Sequence, residues 1–110
     1  MERALLSLSA LDPRCTVRVT GGMNRPPMAE TNAGLALYAR ARELAGGLGL
    51  ALPKQHRGGG SDGNFTAALG IPTLDGLGCP GGGAHAADEH VLWRDLAPRA
   101  ALIASLLETL

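Results

Sequence analysis

The chain has 110 residues and no net charge at pH 7, with ten basic side chains against ten acidic ones. Neutral balance, with the arginines scattered rather than clustered, argues against nucleic acid or an anionic membrane as a partner. The 45% of hydrophobic residues suffices for the core of one small domain. That core must be built of Leu and Ala, because Tyr38, Phe65 and Trp93 are the only aromatic residues. Cys15 and Cys79 are far apart and form no CxxC pair, so no disulfide framework is expected and a reducing, cytoplasmic location is. No stretch reaches the roughly 18 apolar residues of a membrane span, and the N-terminus lacks the pattern of a secretory signal.

In chain order, Leu5, Leu6 and Leu8 predict the end of a helix with no capping residue before it. "CTVRVTGG" alternates, with Val17 and Val19 on one face, and predicts a half-buried strand ending at Gly21-Gly22. "MNRPPMAET" reads as a linker, since Pro26 and Pro27 both lack N–H donors. From Thr31 to about Ala45, Leu37, Tyr38, Ala41, Leu44, Ala45 and Leu48 recur at helical spacing, with Gly46-Gly47 as the expected stop. "LGLALPKQ" predicts a short strand near a sheet edge. Ser61 or Asp62 then caps a short helix to Leu69, which Gly70 stops. "IPTLD" predicts a short buried strand, "GLGCPGGGAH" a loop, and "AADEHVLW" irregular chain with a weak strand at its end. Asp95 caps a last helix to about Thr109, with Pro98 in its first turn and Leu96, Ile103, Leu106 and Leu107 on its apolar face. This order implies an α/β layer with a mainly parallel sheet, too thin to stand alone and so part of something larger.

Two triple-glycine loops raise the functional question. The second ends at His85, after a predicted strand, where α/β sheets place ligands. Imidazole is the commonest metal ligand near neutral pH, yet a metal site needs three or four ligands and no HExxH or HxH pair exists. A surface-loop histidine without a role fits the spacing equally well. "HRGGGSDG" resembles a phosphate loop only loosely, lacking its lysine. Its amides could meet an anion, or the segment could be a tight turn before a capped helix, with Asp62 as cap rather than base. His56 reads as solvated, and His90 as locally paired with Asp88 and Glu89. Arg25, in the linker, is either exposed or set to clamp a carboxylate in a cleft.

"GGMNRPPM", then "HRGGGSDGNFTAALGIPTLDGLG", then "GGGAH-x-x-DEHV" together resemble the C-terminal end of the two-zinc exopeptidase and deacylase family. That family includes carboxypeptidase G, acetylornithine deacetylase, succinyl-diaminopimelate desuccinylase and aminoacylase. The resemblance covers essentially the whole chain and is strongest to the glutamate carboxypeptidase branch. It implies that residues 1–28 end an α+β lid domain, and that residues 29–110 form the C-terminal part of a zinc-exopeptidase-like α/β catalytic domain. It further implies His85 as a metal ligand, Arg25 as the ligand of the substrate's carboxylate, and Ser61 with Gly59 and Gly60 beside the same end of the substrate. The cofactor implied is two zinc ions, with cobalt or manganese as substitutes.

The remaining ligands of that family, an HxD pair, a bridging Asp and another carboxylate, have no counterpart here, nor does its general-base Glu. No catalytic residue is therefore expected within the chain. The resemblance implies a parent hydrolase that cleaves a peptide or N-acyl amide bond beside a free carboxylate, dimeric through its lid. The 110 residues alone are expected to be an inactive portion of it. The alternative is a non-catalytic anion- or peptide-binding module, or a truncated remnant.

Overall fold

Helix α2 shows how local chemistry sets the architecture. The computed structural model describes residues 1–110, and in it α2 spans Asn32–Gly47. Thr31 caps its start, its hydroxyl accepting from the Gly34 N–H at 3.0 Å. Gly46 and Gly47, expected as the stop after about Ala45, form the last residues of the helix. Gly49, at φ 69°, takes the left-handed position, and the N–H groups of Leu50 and Gly49 bond the carbonyls of Ala45 and Gly46. This closing pattern needs one left-handed residue followed by an apolar one, and the pair Gly49-Leu50 supplies it where Gly46-Gly47 does not.

Helix α4 spans Leu96–Thr109 after a single 3-10 turn, Trp93–Asp95. Asp95 stands at its N-cap but makes no side-chain cap bond, contrary to expectation. Helices α2 and α4 pack together, and their contact holds the four buried residues of the chain: Ala41 and Ala45 against Leu102 and Leu106. Two small side chains one turn apart leave room for two leucines one turn apart. The expected apolar face of α4 is thereby corrected. Leu102, not anticipated, is buried, whereas Leu96, Ile103 and Leu107 are exposed. Leu50, Leu52, Leu74 and Leu77 lie against the same cluster, and the Tyr38 hydroxyl ties down the Leu52 carbonyl at 2.8 Å.

Helix α1, Glu2–Leu6, buries nothing. Helix α3, Gly63–Ala68, is shorter than expected and closes at Gly70, φ 81°, with the same paired bonds that end α2. The one ladder is an antiparallel pair, β1 Gly81–Gly82, where a loop was expected, with β2 His90–Val91, in the segment whose end was expected as a weak strand. The pairing rests on the missing side chain. A Cβ on Gly81 would run into the carbonyl oxygen of His90.

The segments 48–55 and 71–75, expected as strands of a mainly parallel sheet, and the separate strand expected at 15–22 make no ladder with one another. Val17, on the expected inner face, is exposed. A lone strand leaves its N–H and C=O groups unpaired, so alternation alone does not fold it. The chain has 50 backbone hydrogen bonds, where a self-contained domain of this length carries about 75. Its radius of gyration is 19.5 Å, against about 13 Å for a compact chain of equal length. Its 8768 Å² of accessible surface exceeds the roughly 5,700 Å² of a folded monomer of this mass. No helix is long and apolar enough to cross a membrane, and both cysteines are free thiols.

Candidate functional site

The linker and the first glycine loop, some 35 residues apart in sequence, meet in space. Ser61 sets the loop. Its hydroxyl accepts from the Gly63 N–H at 3.1 Å, while its own N–H donates to the Asn64 side-chain oxygen at 2.9 Å. This is a reciprocal capping arrangement, with Asn64 where a Glu or Gln more often stands. Asp62 makes no cap bond. The other end of the Asn64 amide donates to the Pro26 carbonyl at 2.8 Å and so pins the linker to the loop.

Arg25 lies across this junction. Its guanidinium sits 4.9 Å from the centre of the Phe65 ring, in cation–π range. One terminal nitrogen is 3.6 Å from an Asp62 carboxylate oxygen. That pair is loose, since the Asp62 side chain is 97% exposed, and solvent screens it. The aliphatic part of Arg25 runs directly over Gly60. A Cβ there would lie 2.7 Å from Cδ and 3.1 Å from a terminal nitrogen of Arg25. Gly60 is therefore a glycine because of close approach, not because of a left-handed backbone.

The loop's amides divide into two groups. The N–H groups of Ser61, Gly63, Asn64 and Phe65 are all bonded within the chain. Those of Gly58, Gly59, Gly60 and Asp62 bond to no group of the chain. Of the loop residues expected beside the substrate, Gly59 and Gly60 thus keep a free donor, while Ser61 spends its N–H and hydroxyl acceptor on the cap.

His85 stands apart from this cluster, in the turn that joins β1 to β2. The turn is held by the Ala86 N–H on the Gly83 carbonyl at 2.8 Å and the Glu89 N–H on the Ala86 carbonyl at 3.1 Å. His85 has φ 66° and is the one non-glycine residue with a left-handed backbone. That conformation costs an L-residue roughly 1–2 kcal/mol, and such strain concentrates at functional positions. The ring is exposed, and no group of three or more His, Cys, Asp or Glu side chains anywhere in the chain could hold a metal ion. One imidazole is not a donor set, so these residues do not hold an ion by themselves. His90 is tied to its own turn, a ring nitrogen lying 2.9 Å from the Asp88 carbonyl; the expected pairing with carboxylates is replaced by a backbone contact. His56 is exposed, as expected.

Two residues of this site, Asn64 and Phe65, were not singled out from the sequence. Asn64 carried a signal in its place three residues after a capping Ser. Phe65 carried none, because nothing local says which ring will face the linker.

The model of peptidase family M20/M25/M40 matches residues 11–109, a span that takes in the linker, both glycine loops and α4. No curated protein and no solved structure matches the chain. Members of this family are in general metal-dependent hydrolases. Matched over residues 11–109 of its 110, the chain belongs to peptidase family M20/M25/M40.

Proposed function

We propose that the chain is the C-terminal portion of a metal-dependent hydrolase that cleaves a peptide or N-acyl amide bond next to a free carboxylate, in the manner of a glutamate carboxypeptidase. Residues 1–28 end a lid, and residues 29–110 complete an α/β catalytic domain whose mainly parallel sheet needs strands from outside this chain. Arg25 receives the substrate's carboxylate, and Gly59 and Gly60 offer their free N–H groups beside it. His85 contributes one ligand to a zinc pair whose other ligands, like the general base, are not among these residues. The ions would activate water and polarise the scissile carbonyl; no step of that chemistry is assigned to these 110 residues.

One observation carries the reading: Arg25 is held on the Gly60 loop, so that two expected substrate contacts from distant segments stand side by side. A guanidinium there presents a planar fork suited to a carboxylate. The test follows the Arg25 side-chain resonances of the purified chain while N-acetylglycine or its amide is added, beside a hydrolysis assay with zinc present. The carboxylate is expected to shift Arg25 and the amide to leave it unmoved. Arg25→Lys, followed through the Gly59 and Gly60 amide signals, should remove the discrimination, and no substrate should turn over. Equal response to acid and amide overturns the carboxylate role, and turnover that tracks the chain through purification overturns its dependence on residues elsewhere.

A further inference from the structure

Arg25 has a long flexible side chain, and its linker carries no regular structure. Left alone, such a side chain gives up among the largest rotamer entropies of any residue on being ordered. Three contacts order it in advance. The Phe65 ring lies 4.9 Å below the guanidinium, bare Gly60 lets the side chain lie flat on the loop, and Asn64 holds the neighbouring Pro26 carbonyl at 2.8 Å. Phe65 is 39% exposed, too open to be a core residue. Helix α3 buries no residue at all. Adjacent residues of this helix thus spend their side chains on the linker rather than on a core.

We propose that Phe65 and Asn64 are positioning residues for Arg25: Phe65 fixes the plane of the guanidinium and Asn64 fixes the linker that carries it, so that the fork is preformed for a carboxylate. This rests on the carboxylate role of Arg25 proposed above. Asp62, with a carboxylate oxygen 3.6 Å from the fork, is the internal anion that an incoming carboxylate displaces. Its full exposure lets it swing into water at little cost. With one face covered by the ring, the incoming carboxylate meets the fork at its edge, in the plane of the guanidinium, where Asp62 now stands.

The experiment is side-chain NMR on the full 110-residue chain with N-acetylglycine as the probe. Wild-type Arg25 should show upfield ring-current shifts of its δ-methylene and Nε–H signals, and Phe65→Leu should abolish them. Affinity for N-acetylglycine should fall about 2- to 5-fold in Phe65→Leu, the range of an exposed cation–π contact. Phe65→Trp should restore both shift and affinity, which a merely space-filling role would not require. Asn64→Ala should weaken binding in the same direction while α3 remains helical. Unchanged Arg25 signals in Phe65→Leu, or equal affinity in all four proteins, overturns the positioning role and leaves the carboxylate role of Arg25 intact. Ring-current shifts that respond to Phe65 but never to N-acetylglycine overturn the carboxylate role instead, and reduce the stack to packing.

Discussion

Adding one methyl group at Gly60 separates stability from site geometry. Gly60 has no left-handed backbone, so Gly60→Ala restricts the unfolded chain and stabilises by about 0.4–1 kcal/mol. Against this, the new Cβ falls 2.7 Å from Arg25 Cδ, and the side chain must leave its place. Lost with it is the stack on Phe65, worth about 0.5–1 kcal/mol at an exposed site; the exposed Asp62 pair adds next to nothing. The two effects nearly cancel, so the unfolding midpoint should hardly move. Arg25 should nevertheless lose its ring-current shift and its response to N-acetylglycine. Gly59→Ala is the control, because nothing lies within 4 Å of a Cβ there; it should keep the Arg25 signals and gain the full entropic increment. Urea unfolding and side-chain NMR on the same samples read both quantities. A Gly60→Ala protein that keeps the Arg25 signals, or one destabilised by more than about 2 kcal/mol, would refute the account of why this position is bare.

Three further outcomes follow from the fold. Leu102→Ala, at the one large side chain that is fully buried, should cost about 2–5 kcal/mol; in a four-residue core this abolishes cooperative melting of α2 and α4 by circular dichroism, and an unchanged transition would contradict it. Gly81→Ala drives a Cβ into the His90 backbone, which cannot swing aside, so the Leu92 amide bonded to the Pro80 carbonyl should lose its hydrogen-exchange protection; retained protection would refute the hairpin. The Asp12 carboxyl is held below its ordinary range by its side-chain bond to Arg14 and then by the Arg14 backbone N–H, while Arg14 is raised by the same partner. The folded value is the lower one, so this turn's contribution is present above the ordinary carboxylate range and fades as pH falls through the Asp12 value; an Asp12 carboxyl titrating no lower in the chain than in a short peptide would show the turn is not formed.

The helices were legible in the sequence because they depend on near neighbours. Thr31, Gly70 and the apolar spacing of α2 act within one or two turns. The errors at the helix ends are of the same local kind. Gly46-Gly47 looked like a stop, but a helix tolerates glycine at modest cost, and only Gly49 is followed by a leucine that can close the end on the core. The buried face of α4 was misread because 14 residues rich in Ala and Leu present apolar groups all round; the facing Ala41 and Ala45 decide which leucines are covered. The strand segments depend on partners, and alternation in Val17 and Val19 says nothing about where a partner lies. The end of "AADEHVLW" marked β2 weakly, but β1 was invisible for the opposite reason: two glycines carry no strand preference, and their fitness for pairing lies in what they lack. At the site, Arg25 and the first loop were marked by linker prolines and glycine spacing. The ring beneath Arg25 was not, because the contact spans forty residues.

The two glycine loops do different physical work. In the first, bare backbone at Gly60 admits a side chain from elsewhere, and the cap formed by Ser61 and Asn64 makes the surface it lies on rigid. Order is imposed on Arg25, which is costly to order, by residues already fixed by α3. In the second, the glycines of β1 let the strand approach β2 closely, and the end of the pair away from the turn is tied by the Leu92 N–H on the Pro80 carbonyl and by the Cys79 thiol on the Leu92 carbonyl at 3.0 Å. Within that frame His85 keeps a left-handed backbone that an open loop would relax. A ring held out at this angle is exposed and bonded to nothing in the chain, so the strain stabilises no contact among these residues. The proposed role of His85 as one ligand of a shared metal site would give that strain a return.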